Sequence, residues 1–175
     1  NKRHMKNKII CGEASKILKK YKNTAELVIT SPPYDNLRSY KGYKFDFENV
    51  ANAISDALKD GAVLVWVVND ATINGSETGT SFKQALYFKE IGLNLHDTMI
   101  FQKQNPIPQI YRKRYTNEFE YMFVFSKGTV KTHNPIKVPC LHAGLELNST
   151  TYKNFSTKDQ KRKKLAKPVK KDKIK

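Results

Sequence analysis

The segment Ser31-Pro32-Pro33-Tyr34 is the part of this sequence best suited to chemistry. Two successive prolines fix the backbone and remove two N–H donors, so the carbonyls beside them are left free to accept hydrogen bonds from a ligand. Ser31 adds a hydroxyl oxygen and Tyr34 adds a flat ring. A rigid set of acceptors beside an aromatic surface suits an amino group on a flat heterocycle. On spacing alone, an ordinary proline turn with an exposed tyrosine explains these residues equally well.

The apolar pattern around this segment predicts alternating strands and helices. Strands are predicted at 8–11, 26–30, 62–68, 93–102 and 119–125, and helices at 13–21, 47–59 and 82–91. The two prolines end the second strand, because they cannot continue a ladder. Asp60-Gly61 is expected to end the second helix, and Thr80-Ser81 to cap the third. The stretches 70–79 and 103–118 are predicted loops.

Helices between apolar strands imply parallel crossovers, and therefore an α/β fold with a three-layer arrangement. The last two strands have no helix between them, so we expect them to be antiparallel. In an open α/β sheet, ligands bind outside the carboxyl ends of the strands. Gly12-Glu13, Ser31-Pro32-Pro33-Tyr34 and Asn69-Asp70 each follow a predicted strand, so all three should meet at that edge.

The composition favours a polyanionic partner. The chain of 175 residues carries a net charge of +16, and hydrophobic residues make up 39% of it, enough for one folded domain. Residues 151–175 hold eleven Lys or Arg and two Asp, so this tail contributes +9 and the other 150 residues +7. Nucleic acid is the commonest partner of such a protein, although a lysine-rich, solvated surface would have the same composition.

Several other classes are disfavoured. There is no run of about 18 apolar residues, as a membrane span would need, and the basic start lacks the apolar stretch of a secretory signal. Cys11 and Cys140 form no CxxC pair, which is typical of a reduced cytoplasmic protein. The histidines are isolated, so no metal site is expected.

The segment Thr30-Ser31-Pro32-Pro33-Tyr34 resembles the catalytic (D/N/S)PP(Y/F) motif of DNA amino-methyltransferases. Further segments between residues 8 and 135 share the family's pattern: Gly12-Glu13, 64–70, Thr80-Ser81-Phe82, Leu95-His96-Asp97 and 119–128. Glu13 stands where the family usually has Asp. The resemblance implies a Rossmann-like methyltransferase sheet, mostly parallel with an antiparallel last strand and incomplete in this chain.

The resemblance also implies a reaction. A base flipped out of double-stranded DNA would receive a methyl group from S-adenosylmethionine on its exocyclic amino nitrogen. Ser31 and the Pro32 carbonyl, held rigid by Pro33, would accept hydrogen bonds from that amino group, and Tyr34 would stack on the base. Serine at the first motif position favours N4 of cytosine over N6 of adenine.

Other residues are assigned with the same resemblance in view. Glu13 and Ser31 are the candidate cofactor contacts, although an acid at a helix N-terminus also has a purely electrostatic explanation for Glu13. The candidate DNA-binding residues are Arg38, Arg112, Lys113, Arg114, Arg162, Lys163 and Lys164. Solvated basic loops are the alternative. A nucleic-acid-binding module without catalysis, and methylation of an RNA base or a protein glutamine, are alternative functions.

One expected feature is missing from the sequence. None of the eight glycines forms the GxG of a glycine-rich cofactor loop. The order of motifs resembles a permuted class in which the catalytic motif comes first and the cofactor loop last. We therefore predict a catalytic part at 1–135, followed at 136–175 by the start of a target-recognition region or a flexible basic tail. The missing loop is expected in the remainder of a longer protein of which this chain is a fragment, or on a second polypeptide. A complementing C-terminal half or a homodimer would complete the site and cover an exposed apolar sheet edge.

Overall fold

The structure, a computed structural model, describes residues 7–33, 45–109 and 113–135. The chain divides into two units, Asn1–Asn134 and Pro135–Lys175. All described helices and strands belong to the first unit, and the roles predicted for 1–135 and 136–175 stay predictions. No helix within the described ranges is long and apolar enough to cross a membrane.

The first unit is built from three helices and six strands among the described residues. They are α1 (Ala14–Leu18, continued by a 3₁₀ turn, Lys19–Tyr21), β1 (Ala25–Thr30), α2 (Phe47–Ala57), β2 (Leu58–Val68), β3 (Thr72–Ile73), β4 (Ser76–Glu77), α3 (Thr80–Glu90), β5 (Asn94–Gln102) and β6 (Phe119–Ser126). The predicted helices and the four later strands are confirmed, with shifts at their ends.

The main sheet has the order β1-β2-β6-β5. β1 runs parallel to β2, whereas β6 is antiparallel to both β2 and β5. β5 therefore runs parallel to β2, and the sheet is mostly parallel with an antiparallel last strand, as predicted. β6 inserts between β2 and β5, a position that no local pattern indicated.

One face of this sheet forms the core with α2 and α3. The alternating residues Leu64, Trp66 and Val68 of β2 are fully buried there, as expected for side chains of period two. Phe88 of α3 lies between Trp66 and Phe125, with ring centroids 5.0 Å and 4.9 Å away. This aromatic packing holds rigid the strands whose ends carry the candidate site.

The prediction of a first strand at 8–11 is wrong. This segment is not part of any strand, and Ile9 and Ile10 are 100% and 42% exposed. A strand needs a neighbour to accept and donate its backbone hydrogen bonds, and no described strand pairs with these residues. An apolar run is therefore not sufficient to produce a strand here.

The predicted end of the second helix at Asp60-Gly61 is also wrong. α2 ends at Ala57, and β2 already begins at Leu58, which pairs with Ala25. Gly61 lies inside β2 with a φ of +80° and donates its N–H to the Lys127 carbonyl at 2.6 Å. Pairing with neighbouring segments thus extends the strand through a sequence that resembles a helix stop.

The predicted loop at 70–79 contains a small hairpin, in which β3 and β4 pair antiparallel. Asn74 and Gly75 form its tip, with φ angles of 50° and 80°. Two adjacent residues of positive φ form the type of turn in which Asn-Gly is favoured in two-residue hairpins. The Asn74-Gly75 pair in the sequence is therefore typical of a hairpin.

Candidate active site at the carboxyl edge of the sheet

The Ser31-Pro32-Pro33 segment begins where the β1 ladder ends. Thr30 makes the last pair with β2, opposite Trp66, although β2 continues to Val68. The chain continues through Pro32, which is buried, while Ser31 is exposed and Pro33 half-buried. The buried proline anchors the segment, and within the described residues no hydrogen-bond partner is recorded for the Ser31 hydroxyl. Tyr34 lies outside the described residues.

The strand beside this segment is firmly supported. The Trp66 side chain is fully buried, and its Nε1 donates to Oε1 of Gln84 at 2.8 Å. Phe47 meets the Trp66 ring edge-on at 5.8 Å, a favoured aromatic geometry. Any ligand held by Ser31 would therefore bind to a rigid edge.

The Asp70 side chain, which follows β2, stabilises the start of α3. Its carboxylate accepts hydrogen bonds from the backbone N–H of Ser81 at 2.8 Å, from the Ser81 hydroxyl and from the Thr78 hydroxyl at 3.3 Å. Ser81 lies in the first turn of α3, where the helix leaves N–H groups without helical partners. The predicted Thr80-Ser81 cap is therefore replaced by Gly79 as the N-cap residue and by Asp70 as the acceptor.

Asn69 has a similar role towards β6. Its buried amide Nδ2 donates to Oδ1 of Asn117 at 3.2 Å and to the Phe119 carbonyl at 3.3 Å, and its Oδ1 accepts from the Asp70 N–H. Lys103 donates to the same Asn117 oxygen at 3.2 Å. Sequence reasoning missed Asn117 and Lys103, because a single Asn or Lys in a polar loop gives no distinguishing signal.

A cavity of about 740 Å³ opens beside this network, at the carboxyl ends of β2 and β5. Its lining combines amides, basic groups and aromatic rings: Asn69, Asn117, Lys103, Lys113, Phe119 and Tyr121. Tyr115 and Ile107, also in the lining, are 100% and 82% exposed. Among described residues, Ser31, Pro32 and Pro33 are outside this lining, whereas Asn69, which follows β2, is part of it.

The two described residues of the basic cluster differ. Arg114 donates to the Gly75 carbonyl and to Oε1 of Glu77, both at 2.9 Å, so it holds the β3–β4 hairpin. Lys113 is exposed, with a positive φ of 52°, and has no recorded ion-pair partner among described residues. The other predicted DNA contacts lie outside the described residues: Arg38, Arg112, Arg162, Lys163 and Lys164.

Glu13 is held by its own helix. Oε1 accepts from the Ser15 hydroxyl at 2.8 Å, and Oε2 is 2.7 Å from Nζ of Lys16. The hydrogen bond from Lys16, helped by that from Ser15, lowers the pKa of Glu13 below its ordinary value. No hydrogen bond or ion pair recorded between described residues joins Glu13 to Ser31, so the two candidate cofactor contacts are not brought together directly. No cluster that could hold a metal occurs among the described residues.

Comparison with known proteins gives the class of this fold and site. A family described as DNA methylase, of the N6/N4 type, matches residues 25–174. The orphan methyltransferase M.BamHII of Bacillus amyloliquefaciens is 58% identical over 111 residues, which cover 63% of this chain and 42% of that protein. The chain therefore spans less than half the length of this curated relative.

Solved structures show the same fold at lower identity. The cytosine-N4-specific PvuII DNA methyltransferase aligns with a TM-score of 0.55 and 18% identity, covering 68% of this chain and 48% of that one. A DNA modification methylase of Thermus thermophilus, complexed with S-adenosylmethionine, aligns at 0.53 and 22%, covering 75% and 57%.

This chain belongs to the N6/N4 family of DNA methylases, and its sheet has the fold of the aligned DNA methyltransferase structures. The family and fold expected from the sequence are thereby confirmed.

Proposed function

We propose that this chain is the catalytic part of a DNA methyltransferase that modifies N4 of cytosine. The observation that carries the proposal is the exposed Ser31 hydroxyl, anchored by buried Pro32 at the carboxyl end of β1. Serine in this position, and the fold shared with a cytosine-N4-specific enzyme, favour cytosine. N6 of adenine is the alternative base.

The chemistry requires orientation of one nitrogen. The Ser31 Oγ and the Pro32 carbonyl accept hydrogen bonds from the amino group of a flipped base, which turns the nitrogen lone pair towards the methyl donor. The amino nitrogen would accept the methyl group that S-adenosylmethionine would supply, and would then lose one proton to solvent. Tyr34 is proposed to stack on the base. Positioning of this kind can supply much of a rate enhancement.

The cofactor site is only partly present in this chain. When bound, S-adenosylmethionine supplies the electrophilic methyl group, and Glu13 and Ser31 are the residues here that would contact it. Both oxygens of Glu13 already accept hydrogen bonds from its own helix, and the sequence has no GxG loop. We therefore propose that a complementing half, or failing that a second copy, completes the site.

Double-stranded DNA is the proposed partner, and the cytoplasm the proposed location. The cavity beside Asn69 offers Lys113 and the exposed Tyr115 for contacts to phosphates and bases, whereas Lys103 is engaged with Asn117 and Glu120. Arg114 is committed to Glu77 and would contribute less unless that ion pair opens. The tail with Arg162, Lys163 and Lys164 would add salt-sensitive affinity.

The test measures the product directly. The chain is co-expressed with the part of M.BamHII that it does not match, incubated with unmethylated DNA and S-adenosylmethionine, and the digested DNA is analysed by mass spectrometry. We expect N4-methylcytosine from the wild type and none from Ser31→Ala. Ser76→Ala is the matched control, because Ser76 is also exposed but lies on the hairpin.

The outcomes separate the alternatives. N6-methyladenine that disappears with Ser31→Ala would replace cytosine by adenine and keep the mechanism. DNA binding that is indifferent to S-adenosylmethionine and to Ser31→Ala, with no methylated product, would favour a binding module without catalysis.

A further inference from the structure

The loop between β5 and β6 carries an isoleucine whose side chain is exposed in the lining of the cavity. Ile107 is 82% exposed and lines the cavity at the carboxyl ends of β2 and β5. Single exposed apolar side chains are common on protein surfaces, so exposure alone does not assign a role. The backbone and the surroundings of Ile107 therefore decide what it can do.

Two prolines restrict the backbone on both sides of Ile107. Pro106 and Pro108 each fix their own φ, and a residue that precedes a proline is restricted to extended conformations. The structure accordingly has no turn or helix at 106–109, and Pro106 is half-buried, which anchors the segment. A side chain on such a backbone loses little conformational freedom when it enters a partner.

Both ends of this loop are fastened at the edge of the sheet. The Lys103 N–H donates to the Glu118 carbonyl at 2.7 Å, and the Lys103 Nζ donates to Oδ1 of Asn117 at 3.2 Å. The same Nζ lies 3.5 Å from Oε1 of Glu120. These contacts close the loop where β5 ends and β6 begins, so the segment that carries Ile107 starts from a fixed base.

The charges around Ile107 suit a polyanion. Both acidic residues in the described lining of the cavity, Asp70 and Glu77, accept hydrogen bonds within the fold. Lys113 in the same lining is exposed, and Tyr115 is 100% exposed. An exposed ammonium group and an exposed aromatic ring are typical of surfaces that contact phosphates and bases.

The loop with Ile107 and the Ser31 segment lie at the same edge of the sheet but not at the same place. β1, β2 and β5 run in one direction, so their carboxyl ends share this edge, and three strand spacings separate β1 from β5. At about 4.8 Å per spacing, that is roughly 14 Å. An enzyme that flips a base contacts two places, the pocket that receives the base and the gap that the base leaves. Two elements held apart on one rigid edge meet this requirement.

We propose that Ile107 is a wedge that enters the base stack of double-stranded DNA beside the target base, while the Ser31 segment receives that base. This inference rests on the proposed function and adds a residue to it. An apolar side chain inserted between base pairs unstacks them and covers the ring faces that are exposed when a base leaves. Since every base has such faces, the contact is independent of sequence. Tyr115 is the other exposed candidate, but its neighbours Arg114 and Thr116 do not fix its backbone as prolines do.

The test compares two DNA duplexes that differ only in their base stack. The whole chain is titrated into a labelled duplex and into the same duplex with one abasic site, and fluorescence anisotropy gives both dissociation constants. We expect the wild type to bind the abasic duplex about tenfold more tightly, because the gap removes the cost of unstacking. Ile107→Ala should reduce this preference to less than about twofold, since it removes the side chain that fills the gap.

Two controls separate a wedge from general DNA binding. Ile73 is also exposed, at 58%, but lies on the β3–β4 hairpin outside the cavity lining, so Ile73→Ala should keep the preference of the wild type. Lys113→Met should weaken binding to both duplexes by the same factor, as loss of a phosphate contact does. Circular dichroism of each variant checks that the chain stays folded, as the exposure of all three side chains predicts.

A fluorescent base provides a second readout. 2-Aminopurine next to the abasic site changes its fluorescence when a side chain inserts beside it, and we expect this change with the wild type and not with Ile107→Ala. Equal binding of the wild type to both duplexes, or binding to neither, would overturn the inference. So would a preference that Ile107→Ala retains, that Ile73→Ala loses to the same extent, or that only Tyr115→Ala abolishes.

The wedge and the proposed function fail in different ways. The binding measurements contain no S-adenosylmethionine and measure no product, so Ser31→Ala should keep the preference for the abasic duplex. That preference without any methylated product would contradict the proposed function and leave the wedge standing. Methylation that depends on Ser31, together with equal binding to both duplexes, would overturn the wedge alone.

Discussion

The carboxyl ends of β1 and β2 lie side by side, yet their polar residues are used differently. After β2, the polar groups of Asn69 and Asp70 are engaged within the fold, holding β6 and α3. After β1, Ser31 is exposed and Pro32 is buried. The two polar residues after β2 therefore have hydrogen-bond partners within the fold, whereas the proposed catalytic residue after β1 is exposed.

The largest effect is expected for Ser31→Ala on catalysis. Loss of one oriented acceptor should lower kcat by about 100- to 1000-fold, as removal of a single transition-state hydrogen bond does in other enzymes. DNA affinity and melting temperature should stay unchanged, because the hydroxyl is exposed. Single-turnover methylation by the complemented protein and a melting curve of this chain check both parts. If Ser31→Ala greatly lowered the melting temperature and left kcat intact, Ser31 would have a structural role instead of a catalytic one.

Asp70→Ala should instead act on stability. It removes the acceptor for the N–H and hydroxyl of Ser81, which is fully buried, and should lower the free energy of unfolding by about 2 kcal/mol. Urea denaturation of this chain measures the change. Asp97→Ala, on a side chain 63% exposed, is the control and should cost less than about 0.5 kcal/mol. Equal costs for the two variants would mean that Asp70 does not support α3.

Glu77→Gln tests whether Arg114 can contact DNA once its ion pair with Glu77 is removed. Release of the 2.9 Å ion pair should strengthen DNA binding by roughly two- to fivefold at low salt, since exposed pairs are worth about 0.2–1 kcal/mol. Fluorescence anisotropy across a salt series provides the measurement. Glu118→Gln is the control, because it removes the same charge from an exposed residue that makes no hydrogen bond to Arg114 among the described contacts. An equal gain in DNA affinity with both variants would mean that the effect comes from net charge alone.

The smallest effect concerns Glu13, another polar residue of the predicted edge. Because its pKa is lowered in the folded state, mainly by the hydrogen bond from Lys16, its stabilising contribution is present above the unfolded pKa. That contribution is lost as the pH falls through the lower, folded pKa. Lys16→Met should raise the pKa of Glu13 towards its ordinary value in an NMR titration. Lys20→Met is the control, and an unchanged Glu13 pKa in Lys16→Met would contradict the assignment.

Local sequence was informative wherever neighbouring residues decide the structure. The continuous apolar run at 62–68 and the aromatic run at 119–125 were enough to predict two strands, and the prolines after Thr30 indicated where β1 stops. The Asn74-Gly75 hairpin carried an equally local signal that the prediction did not use. The same locality misled at 8–11, because an apolar run predicts a strand only when a neighbour is there to pair with it.

The sequence alone was sufficient to predict the family, the alternation of strands and helices, and the Ser31-Pro32-Pro33 segment at a strand end. These follow from residue type and short-range spacing. Three features became apparent only in the folded structure: β6 inserts between β2 and β5, Asp70 accepts a hydrogen bond from Ser81 eleven residues away, and Arg114 donates one to Glu77 at a separation of 37 residues. The same holds for the face of the sheet on which the helices α2 and α3 pack. Each of these depends on contacts between segments distant in the chain, whose choice of partner no local pattern encodes.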